Sequence, residues 1–514
     1  MYARLSSASV IGISAFVVEV ETHLEQQLPA FTIVGLPDSA VRESRERVTA
    51  AIKSSGFSFP QRKITVNLAP ADVRKEGAGF DLPIAVGILA AIGLIPQEQL
   101  DRTLIIGELA LDGMLRPIHG ALSIAIEAGQ QGFRRLILPR ANAEEAALAQ
   151  ALDVLAADSL GEVVAMLKGE LLPEPVHVEP AKLFAQQRTR PQPDFADVKG
   201  QEAVKRALEV AAAGGHNIIM IGPPGSGKTM LARRLPGILP PLTLAEALET
   251  TRIHSVAGLL APGQALVTER PFRAPHHTIS DAALVGGGMS TIRAGEISLA
   301  HHGVLFLDEL PEFARNVLEV LRQPLEERRI TISRSKMTVE YPCNVMLVCS
   351  MNPCPCGNFG NPRHECTCTP QQIQRYMAKI SGPLLDRIDI HIEVQPVDHR
   401  ELSAARRGES STVIQQRVTE ARQRQLERFK GIPGVFKNAD MGPREIERFC
   451  MLDTHARTLL EAAMRRLGLS ARAYDRILKV ARTIADLDHS DQITAAHISE
   501  AIQYRSLDRQ FWNV

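Results

Sequence analysis

Residues 217–221 form a short apolar run, and Gly222-Pro223-Pro224-Gly225-Ser226-Gly227-Lys228-Thr229 follows it directly, with 230–235 reading as helix. Strand, glycine-rich loop and helix start, in that order, grip the phosphates of a nucleotide. The glycines let backbone N–H groups approach, and the helix N-terminus adds partial positive charge. Lys228 is placed to reach the β- and γ-phosphates and Thr229 to ligate Mg²⁺, so ATP with Mg²⁺ is the expected pair. Val304-Leu305-Phe306-Leu307-Asp308-Glu309 is an apolar strand ending in two carboxylates. Asp308 would hold Mg²⁺, directly or through water, and Glu309 would orient the attacking water. A second apolar strand, 345–349, ends in Ser350-Met351-Asn352, where the Asn352 amide can bond the γ-phosphate or that water.

Cys354-x-Cys356 and Cys366-x-Cys368 stand nine residues apart. Four thiolates can close a tetrahedral Zn²⁺ site, with His364 able to replace one of them; the other reading is free thiols in a surface loop. The one-residue gap within each pair is tighter than the usual two to four. Seven cysteines without a disulfide-framework spacing point to a reducing, cytoplasmic setting.

The elements that must position these residues fall into blocks. Residues 1–170 mix β-patterns and short helices: 10–20 and 63–68 read as strands, 39–55 as an amphipathic helix, 82–95 as a buried helix, 104–109 and 136–138 as strands, and 141–152 as a helix. Five prolines punctuate a linker over 171–193. An α/β region with a parallel sheet occupies 194–395, and 396–514 is helical in pattern. The expected fold class is multidomain α/β.

The chain has 514 residues, with 45% hydrophobic and 23% charged, an ordinary globular composition. Lys+Arg and Asp+Glu are both 58, so bulk charge does not draw polyanions and any nucleic-acid contact must be local. Aromatics at 4% argue against broad base-stacking platforms. No run has the roughly 20 apolar residues of a membrane span.

The stretches Pro271-Phe272-Arg273-Ala274-Pro275-His276-His277, Gly286-Gly287-Gly288 and Gly295-Glu296-Ile297-Ser298-Leu299-Ala300-His301 resemble the Mg-chelatase-like AAA+ ATPases of the ComM/YifB family. The resemblance continues through Met351-Asn352-Pro353-Cys354-Pro355-Cys356-Gly357 and Ser381-Gly382-Pro383-Leu384-Leu385-Asp386-Arg387-Ile388-Asp389 and covers essentially the whole chain. Thr291-Ile292-Arg293-Ala294 departs from the Pro-rich turn usual there.

The resemblance implies a homo-oligomeric ring, typically a hexamer, with ATP between subunits. It implies a helix-two insert over about 274–293 and a pre-sensor hairpin over 328–341, whose Arg334 and Lys336 would meet DNA. Arg387 matches the arginine finger, Asn352 sensor one, and Arg472 the sensor-two arginine on a C-terminal helical lid. With Lys228 and Glu309 these make up the expected catalytic set. Residues 1–170 resemble the Lon-protease proteolytic fold. In that alignment Asp81 falls where the nucleophilic serine would be and Leu122 near the lysine, so neither nucleophile nor base is supplied and peptidase activity is not expected.

The function that the resemblance implies is an ATP-driven motor on single-stranded and branched DNA, independent of sequence: a branch-migration helicase in natural transformation and homologous recombination. The alternative is a protein-remodelling ATPase of the Mg-chelatase motor type that never touches DNA. The arginine-rich segment 417–430 counts toward the first reading and the zero net charge against it.

Overall fold

The computed structural model describes residues 1–187, 193–288, 292–334, 337–361, 364–397, 408–505 and 507. The chain forms two compact units, one of Met1–Arg188, Leu244–Thr268 and Ser333–Glu340, the other of Thr189–Thr243, Glu269–Ile332 and Tyr341–Val514.

The first unit is built on a seven-stranded mixed sheet. Its strands are β1 (Tyr2–Ile11), β2 (Ser14–Glu25), β3 (Ala30–Val34), β4 (Lys63–Ala69), β5 (Thr103–Ile105), β8 (Arg135–Pro139) and β9 (Asp153–Ala157), in the order β3-β4-β2-β1-β5-β8-β9. Two short strands, β6 (Glu108–Leu109) and β7 (Leu115–Arg116), pair separately. The apolar run expected as one strand over 10–20 is strand at both ends but is divided by a hairpin turn, with Val10 of β1 opposite Ala15 of β2. Gly12 at φ +61° turns the chain at little steric cost. The expected strand 104–109 is also broken. Gly107 leaves the ladder to accept from Leu82 N and donate to Gly79 O, both at 2.9 Å, and so receives the start of the helix Asp81–Ala91.

That helix is buried on nearly every side, which is why it reads as an unbroken apolar run. Its first residue, Asp81, is fully buried and receives Arg47 Nε at 2.7 Å and Nη2 at 3.0 Å, with Leu109 N at 3.3 Å. A carboxylate so enclosed is tenable because a bidentate guanidinium meets it.

Part of this unit comes from far along the chain. The helix Leu244–Val256 places Ser255 Oγ 2.5 Å from Glu145 Oε1, while Gly120 N donates to the same hydroxyl at 2.9 Å. Glu145 also accepts from Leu122 N at 2.8 Å, and Arg252 Nη2 donates to Ile13 O at 3.0 Å.

The second unit carries a five-stranded all-parallel sheet in the order β11-β14-β17-β10-β18, from β10 (Ile218–Ile221), β11 (Phe272–Arg273), β14 (Val304–Leu307), β17 (Met346–Met351) and β18 (Ile390–Glu393). β10, β14 and β17 are wholly buried, the pattern of parallel strands covered on both faces. Apart from the two larger sheets, β12 (Gly286–Gly287) pairs with β13 (Arg293–Ala294), and β15 (Arg329–Arg334) with β16 (Met337–Pro342) as the expected hairpin. The helices Ser411–Arg428 and Ala471–Leu487 share one apolar core with the sheet, through Val418, Ala421, Ile477 and Ile484 against Leu208, Ile218 and Val348.

The segment 417–430 is not an open basic face. Arg417 binds Glu209 and Glu409, Arg422 donates to the Ala212 and Ala213 carbonyls, Arg424 binds Asp491, and Arg428 binds Asp486. These partners lie 8 to 210 positions away, so a local reading of charge did not show them.

Asp81→Ala would leave Arg47 without its carboxylate and strip the Leu109 amide of its acceptor. The first unit should lose about 3 kcal/mol, the scale for removing one partner of a buried pair, read as an earlier first transition in urea denaturation.

Candidate nucleotide site

The phosphate loop leaves β10 at Gly222, where a side chain is sterically impossible: a Cβ would stand 2.2 Å from Val394 O. Gly225 and Gly227 take φ of +76° and +88°, the left-handed region that glycine enters freely, and the helix Lys228–Arg234 begins at once. Lys228 is buried, and its Nζ donates to Gly222 O at 2.7 Å and Pro223 O at 2.9 Å, with Asn352 Oδ1 at 3.3 Å. The loop thus folds around its own lysine. Burial pushes the Lys228 ammonium down to about 8, against the upward pull of Asp308 and Glu309.

Thr229 Oγ1 lies 2.7 Å from Asp308 Oδ2, so the hydroxyl and carboxylate that a magnesium ion would engage stand side by side. These donors are all oxygens, the set a hard divalent cation takes. On the other side Ser350 Oγ donates a short hydrogen bond to Asp308 Oδ1.

Glu309 has φ +54°, rare for a residue with a side chain. Its amide is tied to Asp308 Oδ1 at 3.1 Å and Ser350 Oγ at 3.4 Å, which hold the kink. The kink turns its carboxylate outward, 59% exposed, with His277 Nδ1 at 3.9 Å. Such a position over the phosphate end suits a group that orients water.

Asn352, Lys228, Thr229, Asp308 and Glu309 therefore converge at the C-terminal ends of β10, β14 and β17, where ligands bind in open parallel sheets. Arg387 and Arg472 do not join them. Asn217, at the opposite end of β10, bonds the Arg387 carbonyl through Nδ2 at 2.8 Å. The four residues of β10 separate Asn217 from Gly222, five steps along the strand or about 17 Å at roughly 3.3 Å per step. The Arg387 guanidinium binds Pro383 O at 2.5 Å and the Glu326 carboxylate, not Asp386 or Asp389 beside it in sequence. Arg472 lies with Arg387 on a charged cleft of about 570 Å³ and pairs with Asp386 at 3.3 Å.

Lys336 lies outside the described residues, and of Arg334 only the backbone is described. Cys354, Cys356, Cys366 and Cys368 come together with every sulfur within 4.8 Å of the others, and His364 is not part of the group.

Sequence reasoning missed Ser350 and His277 as groups beside the paired carboxylates, and the bidentate Arg273–Glu296 pair at 2.6 and 2.7 Å. All lay inside motifs already singled out, but which atoms they face depends on the fold. It also missed Gln201, whose amide holds Ser226 O at 2.7 Å.

A buried parallel sheet with a phosphate loop on one strand, paired carboxylates on the next but one and an amide between defines a P-loop ATPase core. Family comparison agrees. The family described as magnesium chelatase, subunit ChlI, matches residues 194–402; subunit ChlI of Mg-chelatase matches 20–142; and the C-terminal region of subunit ChlI matches 408–505. The uncharacterized protein YifB of Escherichia coli (strain K12) is 46% identical over 98% of this chain and 96% of its own. The competence protein ComM of Haemophilus influenzae is 46% identical over 99% and 97%. Lon protease 2 of Bacillus subtilis is 27% identical over 27% of this chain and 26% of its own. The chain belongs to the Mg-chelatase-like AAA+ ATPase family of YifB and ComM. Among the described residues no helix is long and apolar enough to cross a membrane.

Lys228 must be charged to bind phosphate, and its folded value lies below that of a free lysine. ATP affinity should therefore be steady up to about pH 8 and fall with further rise, by up to about tenfold for the next pH unit, as binding takes up a proton. Titration of a fluorescent ATP analogue at pH 7, 8 and 9 checks this. Lys228→Gln should bind weakly with no such slope.

Proposed function

We propose that this chain is an ATP-hydrolysing ring motor that acts on DNA, as a branch-migration helicase in recombination of incoming DNA. The observation that carries the ring is the split of the catalytic set across β10: Lys228 and Asp308 at one end, Arg387 at the other. An arginine side chain cannot cover that distance. A finger at Arg387 is useful only to the next subunit, and closed rings are the assemblies that satisfy every such site. Arg472, on the same cleft, serves the same neighbouring site.

DNA as the substrate is supported by the relative named a competence protein and by the hairpin β15–β16, whose Arg334 and Lys336 are cations suited to phosphates without reading sequence. Three residues of sequence separate the hairpin from β17, the strand that leads to Asn352, so nucleotide state has a short route to it. The segment 417–430 lends no support, because its arginines are consumed internally. That observation favours the second reading, a protein-remodelling ATPase of the chelatase-motor kind. The first unit serves assembly or DNA handling and not proteolysis: Asp81 is locked to Arg47 and Leu122 carries no base.

ATPase rate measured with single-stranded, forked and four-way DNA against a DNA-free control separates the readings. Stimulation by branched DNA is expected; a flat response across all of them would move the assignment to protein remodelling. Arg387→Ala subunits should bind ATP yet hydrolyse it poorly, as should Glu309→Gln subunits. Mixing the two should restore part of the activity at interfaces where an intact Arg387 faces an intact Glu309. No recovery at any ratio, with mixed rings verified, would rule out a shared site.

A further inference from the structure

We propose that Cys354, Cys356, Cys366 and Cys368 form a tetrathiolate zinc site whose metal braces the phosphate loop and Asn352 in the shape that receives nucleotide. The bracing half of this proposal rests on the nucleotide-site reading above; the metal half does not.

The geometry is that of four ligands around one ion. Cys354 and Cys356 Sγ are 3.3 Å apart, Cys354 and Cys366 3.7 Å, and Cys356 and Cys366 3.6 Å. A tetrahedron with Zn–S bonds of 2.3 Å has edges of about 3.8 Å. A disulfide would bring one pair to about 2.0 Å, and all four cysteines are free. Two backbone amides also face the sulfurs, Phe359 N to Cys354 at 3.3 Å and Cys356 N to Cys368 at 3.4 Å. Amides of this kind orient thiolate ligands and offset their charge. An all-sulfur tetrahedral set selects a soft ion, zinc first in a site with no redox task.

Folding gives a second reason. Between β17 and the helix Pro370–Met377 there is no regular element among the described residues. Loops this long are uncommon unless they are functional, and this one has no ladder of its own to hold it. Cysteines 12 positions apart, as Cys354 and Cys366 are, would meet in such a loop at a cost in chain entropy. A metal bond offsets that cost, and the four side chains otherwise gain little by meeting.

The position shows what the metal would do. Cys354 is separated from Asn352 only by Pro353, and Asn352 Oδ1 faces Lys228 Nζ at 3.3 Å. One residue past Cys356, Gly357 lies directly on the phosphate loop. A Cβ there would stand 2.5 Å from Pro224 Cδ and 3.9 Å from Asn352 Cγ, and its φ of +81° suits glycine. Phe359, Gly360 and Asn361 line a small cavity together with Gly222 and Pro223. The cysteine loop therefore touches both walls of the phosphate site, and closing it on a metal fixes both.

The test uses the full-length protein. Metal analysis of reduced, chelator-free protein should give about one zinc per chain, and cobalt replacement should give the visible and near-ultraviolet bands of a four-sulfur tetrahedral site. Absence of stoichiometric metal, iron in place of zinc, or a cobalt spectrum with fewer than four sulfurs would overturn the site. Affinity for a fluorescent ATP analogue is then compared in loaded, stripped and reloaded protein. Stripping should weaken binding by about tenfold or more, and reloading should restore it. Because Cys366→Ser with Cys368→Ser risks misfolding, Gly357→Ala is the second variant: it keeps all four thiols and presses on Pro224. It should retain zinc and lose affinity. Equal affinity in loaded and stripped protein, or unchanged affinity in Gly357→Ala, would overturn the brace and leave the zinc site standing. Loaded wild-type protein that binds no nucleotide would instead overturn the nucleotide-site reading and the brace with it.

Discussion

Asn217 stands immediately before β10 and commits its polar atoms to both flanking strands. Its amide N donates to Asp389 Oδ2 at 3.2 Å, its Nδ2 to Arg387 O at 2.8 Å, and its Oδ1 accepts from Leu347 N at 2.8 Å. Its own carbonyl accepts from Asp389 N at 3.0 Å and Ile390 N at 3.1 Å. One side chain thereby aligns β17 and β18 on β10, and with them the two places where chemistry is gathered. At the far end of β10 the same register puts Asn352 beside Lys228. A parallel sheet has no tight turns to fix its register, so such side-chain ties carry weight.

The arginine end is built on carboxylates. The helix Ala471–Leu487 presents Arg472 and Arg476 four residues apart, one to Asp386 and the other to Asp389 at 2.5 Å. Asp389 is buried, which would raise its carboxyl, yet Arg476 and His216 hold it well below the ordinary carboxylate range. The loop that carries Arg387 is thus clamped to the C-terminal helices on one side and to β10 on the other. An arginine whose loop is clamped in this way has little conformational entropy left to lose when it meets an anion.

The nucleotide end was almost fully legible in the sequence, because Gly222 to Thr229 and Asp308-Glu309 carry their chemistry in residue type and spacing alone. The cysteine tetrad was legible as a composition, but its contact with Pro224 was not, since that depends on how the loop folds back. Partners across long separations stayed hidden. Arg387 stands beside Asp386 and Asp389 in sequence and takes Glu326 instead. The arginines of 417–430 read as a solvated or DNA-facing surface, yet Arg422 ends on backbone carbonyls some 210 positions earlier. Strand breaks at Gly12 and Gly107 were missed for a related reason. Apolar residues continue straight through them, and only the backbone geometry tells a turn from a strand.

The helix Leu244–Val256 has a further consequence. Ser255 and Glu145 meet across 110 positions of sequence, and Arg252 reaches Ile13 across 239. The first unit is therefore not a module that a cut in the linker could release. Residues 1–170 alone would expose the seat of that helix, and the remainder would carry a helix whose buried polar groups had lost their partners. A substitution at Ser255 or Arg252 therefore acts on the first unit, although the sequence places both residues well past the phosphate loop.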